Sequence, residues 1–299
     1  MTISDGPVLV TGASGYIGGE LISALLARGV AVRALSRHPE QLSGLQQRGV
    51  EVVSGDVLNR SSLRAALRGV EMAYYLVHSM GGGRSEQAFA ELDRYAAQNF
   101  AHEGAHLERI VYLGGLGRSD DSLSPHLKSR WEVGEILLAG KSSACVLQAG
   151  MVIGQGSVSF QMLRSLANRL PIMVCPRWVE TRTQPIAEAD ALAYLVAALG
   201  TPAAAGRTFE IGGPDVLTYR EMLERTARSL GKRPVIVTVP VLTPRLSAYW
   251  VDLVTSIPAS IAHPLIEGLK NEAIVHDETA REVMPVPLTP FDTAVRRAI

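Results

Sequence analysis

Features that would direct a chain to nucleic acid, to an anionic membrane or to an oxidising exterior are scarce in this sequence. There are only two cysteines in 299 residues. Cys145 and Cys175 stand in apolar surroundings without metal-ligand spacing, so we expect free thiols, no metal site and a reducing, cytoplasmic location. Lysine plus arginine and aspartate plus glutamate number 29 each. With no net charge, we expect no nucleic-acid partner and no membrane partner.

Long apolar runs are also missing. The longest, residues 189–199, falls short of the roughly 20 residues that span a bilayer. The first five residues lack a basic segment followed by an apolar one, so no secretory signal is expected. Hydrophobic residues are plentiful at 47% of the chain. This composition is typical of a globular protein. A chain of 299 residues can hold one large α/β domain, or a domain with a small added lobe.

A glycine-rich turn near the N-terminus organises the chain. An apolar run at residues 8–10 leads into a turn of the form Gly-x-x-Gly-x-x-Gly, made by Gly12, Gly15 and Gly18. A helix with one apolar face follows. A strand, tight turn and helix N-terminus in this order cradle a dinucleotide pyrophosphate, because glycine admits close approach and free N–H groups favour an anion. The alternative is an ordinary glycine-rich turn, which the rest of the first half argues against.

Strand-like and helix-like patterns alternate through the first half of the chain. The apolar strand-like runs are residues 8–10, 30–35, 50–54, 71–77, 107–113 and 144–149. The alternation predicts an α/β fold with a doubly wound parallel sheet, a Rossmann fold, over residues 1–154. Residues 155–299 are less regular, with a strand predicted at 205–212. We expect them to complete the sheet and to form a small C-terminal substrate lobe of mixed α/β segments.

Several residues predict where helices begin. Asn59 and Ser124 are expected as N-caps, with Pro125 in the first turn after Ser124, and Thr218 with Glu221 forms a capping box. A helix predicted over residues 85–103 carries an apolar stripe at helical spacing. The stripe comprises Phe89, Leu92, Ala96 and Phe100. We interpret the stripe as core and not as part of a cofactor site.

The residues after the second strand bear on the cofactor. NAD-dependent enzymes place an aspartate or glutamate there to bind the ribose 2′-hydroxyl. This chain has Ser36, Arg37 and His38 instead. A guanidinium and a hydroxyl suit a 2′-phosphate, so NADP(H) is favoured over NAD(H). The alternative for Arg37 is a solvated loop charge.

Residues at the ends of later strands are further candidates. Asp56 can accept a hydrogen bond from the adenine amino group while Val57 packs on the ring; capping a turn is the alternative for Asp56. Three successive glycines at residues 81–83 predict a mobile loop at the carboxyl edge of the sheet. The apolar segment at residues 241–269 is interpreted as short helices that line a largely apolar pocket. Four residues between two prolines could line the pocket or lie in a solvated loop: Arg177, Trp178, Arg182 and Gln184.

These motifs together resemble a known superfamily. They are Thr11-Gly12-x-x-Gly15-x-x-Gly18, Gly55-Asp56-Val57, Tyr75-Leu76-Val77-His78-Ser79 and Gly212-Gly213-Pro214. The chain resembles the short-chain dehydrogenase/reductase superfamily, in its extended and atypical NmrA-like branch of NAD(P)-binding, epimerase-like proteins. The resemblance extends over nearly the whole chain and is specific for the superfamily but not for a substrate.

The resemblance implies a set of cofactor contacts. The pyrophosphate would be held by Gly12, Ser14, Gly15, Tyr16, Ile17 and Gly18. The 2′-phosphate would be held by Ser36 and Arg37, and the adenine by Asp56 and Val57. The nicotinamide ribose would lie beside Leu76, Val77 and His78, and the nicotinamide beside Met151.

The chain departs from the superfamily at the catalytic positions. Members that carry out redox chemistry in the usual way have a serine after the fifth strand and a Tyr-x-x-x-Lys motif on the next helix. Here Gly114 and Gly115 stand at the serine position, and His126 and Arg130 retain the i, i+4 spacing with different chemical groups. The helix N-terminus and the charge of Arg130 both favour a neutral imidazole at His126, which can still donate a proton to a carbonyl oxygen. Arg130 could stabilise an oxyanion or hold a substrate carboxylate. The alternative is that both are surface residues of an inactive site.

The sequence thus predicts an NADP(H)-dependent oxidoreductase that transfers hydride to a carbonyl or conjugated double bond of an apolar small molecule. The missing serine and tyrosine keep a second interpretation open, a non-catalytic NADP(H)-binding redox sensor or assembly factor of NmrA-like type. Sugar-nucleotide epimerisation is a third and weaker interpretation, because it needs the lost tyrosine. A homodimer is left open.

Overall fold

The computed structural model describes residues 6–78, 86–117, 123–169, 171–239 and 268–299. The predicted glycine loop at residues 81–83, Ser79 and most of the apolar segment at residues 241–269 lie outside the described residues. In the part of the chain that is described, no helix combines the length and apolarity needed to cross a bilayer.

The strands and helices alternate along the first half of the chain. The strands are β1 (Val8–Thr11), β2 (Val32–Ser36), β3 (Glu51–Ser54), β4 (Met72–Tyr75), β5 (Arg109–Gly115), β6 (Ala144–Ala149), β7 (Val152–Ile153), β8 (Ile172–Pro176), β9 (Arg182–Thr183), β10 (Ile186–Ala187), β11 (Arg207–Ile211), β12 (Leu217–Thr218) and β13 (Val235–Val239). The helices are α1 (Tyr16–Leu26), α2 (Ser43–Gln47), α3 (Arg60–Ala66), α4 (Glu86–Glu103), α5 (Pro125–Leu138), α6 (Val158–Arg169), α7 (Glu188–Gly200), α8 (Tyr219–Ser229), α9 (Thr279–Val283) and α10 (Phe291–Ala298). Short 3-10 helices cover Pro39–Leu42, Arg177–Glu180 and Pro202–Ala204.

The central sheet confirms the predicted doubly wound α/β fold. Within the described residues the sheet has seven strands in the order β11-β6-β5-β4-β1-β2-β3. Every neighbouring pair is parallel. The chain order reverses at β1, because β2 follows on one side and β4 lies on the other. A crevice for a ligand forms at such a reversal, beyond the carboxyl ends of the strands.

Alternate residues of β1 pack into different cores. Val8 and Val10 belong to the core that also contains Leu21 of α1 and Tyr194 of α7. Leu9 faces the opposite core, formed largely by α3, α4 and α5. Both faces of the sheet are therefore covered by helices, which explains why its strands are almost continuously apolar.

A third hydrophobic core stabilises the C-terminal part of the chain. It joins α6, α8 and α10 through side chains such as Phe160, Leu223 and Val295. The pairs β8–β13, β9–β12 and β7–β10 lie outside the central sheet. Strand β11, which comes from this second half, pairs with β6 at the edge of the central sheet.

The predicted helix starts are confirmed. The Asn59 side chain accepts from the backbone N–H groups of Ser61 and Ser62, and the Ser124 hydroxyl accepts from the N–H of Leu127. Thr218 and Glu221 form the capping box. Each cap satisfies backbone donors that a helix leaves unpaired at its first turn.

Strand β4 is shorter than the predicted run at residues 71–77. The Thr11 hydroxyl donates to the carbonyl of Tyr74 and accepts from the N–H of Leu76. This side chain replaces the regular ladder, so residues after Tyr75 leave the sheet and can border the crevice.

The cysteines are free and buried, as the sequence predicts. Burial raises the pKa of the Cys145 thiol to about 12 and that of Cys175 to about 11. Thiols with raised pKa values are weak nucleophiles at neutral pH, so neither cysteine is a candidate catalytic residue.

Candidate functional site

In the glycine turn, the backbone at Gly18 of α1 packs closely against the backbone at Gly12. Gly12 has φ +72°, a left-handed conformation that glycine adopts without strain. A Cβ atom on Gly18 would lie 2.2 Å from the carbonyl oxygen of Gly12. Helix α1 begins directly after Gly15, and no side chain of the described residues caps it. This cradle fits a dinucleotide, because its open N–H groups can bind a pyrophosphate that side chains would otherwise block.

On one side of the turn lies a cavity of about 420 Å³, which we call the outer cavity. It is bordered by the carboxyl ends of β1 to β4. Ten of the predicted cofactor residues line it: Gly12, Ser14, Gly15, Ser36, Arg37, Asp56, Val57, Leu76, Val77 and His78. The fold thus brings together residues that are scattered over the first quarter of the chain.

The sequence left two interpretations open for each of two residues of the outer cavity, Arg37 and Asp56. Arg37 is exposed and makes no ion pair with any residue that the structure describes. Asp56 accepts a hydrogen bond from the N–H of Leu58 at 2.9 Å. Asp56 therefore caps its turn and also borders the cavity, so the two interpretations of this residue are compatible.

The prediction that the α4 stripe belongs to the core holds for only part of the stripe. Phe100 is fully buried, and Ala96 is nearly so. However, Phe89, Leu92 and Ala96 line the outer cavity. The early turns of α4 border the outer cavity at the carboxyl ends of the strands, whereas its later turns pack on the sheet, where Phe100 contacts Tyr75 of β4.

On the other side of the glycine turn lies the inner cavity, with a volume of about 490 Å³. The glycine loop, the end of β5, the start of α5 and the segment after β6 border it. The predicted residues Tyr16, Ile17, Gly18, His78, His126, Arg130 and Met151 line it. Its other walls are mostly apolar and include Leu113, Leu116, Leu127, Val158 and Met162. The glycine loop borders both cavities, so they adjoin one another along it.

His126 and Arg130 interact directly within the inner cavity. The Arg130 Nε–H group donates to His126 Nε2 at 3.2 Å. Because a guanidinium can only donate, Nε2 must be unprotonated, and the proton of a neutral imidazole lies on Nδ1. Burial, followed by the positive charge of Arg130, lowers the pKa of His126 from 6.5 to about 4. The imidazole is therefore neutral at pH 7 and presents Nδ1–H as its donor.

His78 is the third polar group of this site. It lies just after β4 and borders both cavities. The charge of Arg130, followed by desolvation of the ring, holds the pKa of His78 well below its usual range, and His126 makes a smaller contribution. The fold thus brings His78, which follows β4, close to His126 and Arg130 of α5. The charge of Arg130 lowers the pKa of both histidines, and for His126 burial contributes more.

Glycines at the end of β5 make room for the residues of α5. A Cβ atom on Gly115 would lie 2.6 Å from Leu127 Cδ2 and 3.7 Å from Arg130 Cδ. A serine at position 115 would therefore displace Leu127. Gly115, at the position of the usual serine, therefore packs directly against the start of α5, the helix that carries His126 and Arg130 in place of the usual tyrosine and lysine.

A contact between Tyr16 and Glu188 was not predicted from the sequence. The Tyr16 hydroxyl donates to the Glu188 carboxylate. A Cβ atom on Gly156 would lie 2.3 Å from the Tyr16 ring, so Gly156 makes room for that ring. Burial and the hydrogen bond to Glu188 raise the pKa of Tyr16 to about 12. The pair joins the glycine loop to the first turn of α7, and no local pattern points to a partner so distant along the chain.

The four residues predicted to line a pocket or lie in a solvated loop are not part of either cavity. Arg182 is exposed and pairs with Glu272, while Gln184 is buried and bonds the backbone of Gly213 and Val275. Trp178 packs edge-on against Tyr219. These three described side chains, together with that of Arg177, line neither cavity. Their contacts stabilise the C-terminal part of the chain.

The protonation of His126 is open to direct measurement. We expect the imidazole NMR chemical shift of His126 to stay at its neutral-form value from pH 8 to pH 5. The Arg130→Gln substitution is expected to raise the titration midpoint of His126 towards 6.5, because it removes a like charge. The variant His126→Gln lacks this signal and so assigns it.

The lowered pKa of His126 also affects stability. Because its pKa is lower in the folded than in the unfolded chain, the unfolded chain takes up this proton first as the pH falls, so the free energy of unfolding decreases from pH 6.5 to pH 4. A wild-type midpoint near 6.5 would contradict the arrangement.

Comparisons with known proteins agree with the nucleotide site. Residues 12–150 match a family model described as NAD(P)H-binding. The chain is 27% identical over 243 residues to the ceramide reductase of Caulobacter vibrioides, which covers 80% of this chain and 75% of that protein. It is 27% identical over 233 residues to the (4-alkanoyl-5-oxo-2,5-dihydrofuran-3-yl)methyl phosphate reductase of Streptomyces griseus, which covers 75% of this chain and 74% of that protein. The triphenylmethane reductase of Citrobacter sp., complexed with NADP(H), has a TM-score of 0.77 and 19% identity, and the match covers 98% of this chain and 100% of that chain.

Proposed function

We propose that this chain, whose residues 12–150 match an NAD(P)H-binding family, is an NADP(H)-dependent reductase of the short-chain dehydrogenase/reductase type. The family match and the fold support the resemblance to that superfamily; the NmrA-like branch remains a prediction. The proposed reaction transfers hydride to a carbonyl or conjugated double bond of an apolar small molecule. Residues 155–299 are proposed to form the substrate lobe.

One observation carries the proposal. A neutral imidazole with its donor on Nδ1 lines an apolar cavity that the glycine loop also borders. A bound nicotinamide cofactor supplies the hydride. His126 Nδ1–H then supplies the proton to the substrate oxygen, and the Arg130 Nε–H group stabilises the negative charge that proton transfer leaves on the ring. The mostly apolar walls of this cavity suit an apolar substrate.

The preference for NADP(H) is proposed from the outer cavity. Ser36 and Arg37 line the cavity where β2 ends, and neither is an acid that could bind a ribose 2′-hydroxyl. The exposed Arg37 guanidinium is free of described ion-pair partners and suits a phosphate dianion. The relatives named as reductases support this class of reaction but not a particular substrate.

A titration with NADPH and NADH by fluorescence, followed by a panel of quinones, aldehydes, ketones and enones, tests the proposal. We expect tighter binding of NADPH and loss of nicotinamide absorbance with at least one panel member. Arg37→Ala is expected to weaken NADPH binding by about tenfold, the effect of one charge-assisted contact, without changing NADH binding. Arg48→Ala, which removes an exposed arginine elsewhere, is the matched control. Equal affinity for the two cofactors would contradict the NADP(H) assignment.

A redox sensor or assembly factor is the second candidate function. The glycines at the usual serine position, Gly114 and Gly115, favour it, because they remove one group that the usual chemistry needs. Tight NADPH binding without cofactor oxidation by any panel member would support this candidate. A search for a protein partner that responds to the cofactor would then follow.

A further inference from the structure

The inner cavity is poor in compensating negative charge. Arg130 is half-buried at its wall, and the described residues that line the cavity include no aspartate, glutamate or lysine. A guanidinium in mostly apolar surroundings is costly without a partner. The site therefore lacks, among its described residues, an anion that would offset this charge.

The contacts of Arg130 show which of its atoms are open. Its Nε–H group donates a hydrogen bond to His126 Nε2. Its two terminal nitrogens make no hydrogen bond or ion pair with a described residue. Those two nitrogens form the end of a planar fork that matches the two oxygens of a carboxylate.

The cofactor pyrophosphate does not account for this charge. The pyrophosphate is assigned to the glycine loop after β1, whereas Arg130 lies against Gly115 at the end of β5. Strand β4 separates β1 from β5 in the sheet, which places these strands roughly 10 Å apart. We therefore place an anion bound by Arg130 at the α5 wall of the inner cavity, away from the glycine loop.

We propose that the terminal nitrogens of Arg130 bind a carboxylate of the substrate, so that the natural substrate is an oxo acid with an apolar chain. This inference rests on the proposed function and narrows its substrate class. The carboxylate on Arg130 holds the oxo group near His126, and the leucine, valine and methionine walls receive the chain. The reduction itself is unchanged: the carbonyl carbon gains hydride from the cofactor, and the oxygen gains the proton of His126 Nδ1.

Calorimetric titration of the NADP⁺-saturated protein with decanoate and decanamide tests the inference. The two probes share one chain and differ in charge. We expect decanoate to bind about tenfold or more tightly than decanamide. Arg130→Gln is expected to abolish this preference, and Arg130→Lys to retain only part of it, because lysine keeps the charge but lacks the fork. Lys128→Gln removes an equal charge from an exposed position on the same helix and is expected to leave the preference intact.

Several outcomes would overturn the inference. Equal binding of the two probes, no binding of either probe by the wild-type protein, or a preference that survives Arg130→Gln would each do so. NADPH affinity, measured for every variant, shows that the protein is folded. Failure of wild-type protein to bind NADPH would defeat the proposed function instead. A decanoate preference of the cofactor-free protein that is lost in Arg130→Gln would then still place the anion at Arg130.

Discussion

Replacement of Gly18 by alanine is expected to abolish tight NADPH binding. The added Cβ atom would lie 2.2 Å from the Gly12 carbonyl oxygen, and both atoms belong to backbone that must stay close for the turn to form. Overpacking of this kind costs about 3 kcal/mol at the upper end of its usual range, which corresponds to roughly a hundredfold in affinity. Fluorescence titration with NADPH measures the loss.

Gly19→Ala provides the matched control. Among the described atoms outside the backbone of α1 itself, only the Ala13 carbonyl oxygen would lie near a Cβ atom at this next position, at 3.9 Å. Alanine in a helix is favoured over glycine by about 0.5–1 kcal/mol, so this variant is expected to bind NADPH normally and to unfold at a slightly higher temperature. Normal binding by Gly18→Ala would show that the glycine turn is not the nucleotide cradle.

Replacement of His126 by alanine is expected to lower turnover by about 10²-fold or more while leaving NADPH affinity unchanged. The reason is that the variant loses the Nδ1–H donor of the inner cavity, and a positioned acid or base contributes at least that factor. Steady-state kinetics with a reducible member of the carbonyl panel measures the effect, and the loss should fall on kcat more than on KM.

Two further variants separate proton transfer from structure. Lys128→Ala changes an exposed residue of the same helix and is expected to keep full turnover. His126→Gln keeps an acceptor for the Arg130 Nε–H group but supplies no comparable acid, so it should be as slow as His126→Ala. Full activity of either His126 variant would remove this residue from the mechanism.

Local patterns predicted the features that depend on neighbours in the chain. The strand, turn and helix at the N-terminus, the caps Asn59 and Ser124, and the box of Thr218 and Glu221 all depend on residues a few positions apart. The alternation of such units also predicted a parallel sheet, because parallel strands need crossover helices. Ends of strands were less predictable, as β4 shows, since a side chain from β1 decides where it stops.

The prediction that the α4 stripe belongs to the core was only partly right, for a related reason. Apolar spacing identifies the buried face of a helix but not what covers that face. Phe89 and Leu92 share a stripe with Phe100, yet they border a cavity because the early turns of α4 lie at the carboxyl ends of the strands. Sequence spacing alone carries no information on that position.

The glycine turn, the alternation of strands with helices and the i, i+4 spacing of His126 and Arg130 can all be predicted from residues close together in the chain. Folding brings Glu188 to Tyr16, places His78 in the field of Arg130, and surrounds Arg130 with apolar side chains. These properties arise where distant elements meet. Distance and burial, which set the strength of charge and hydrogen bonding, exist only once the chain has folded.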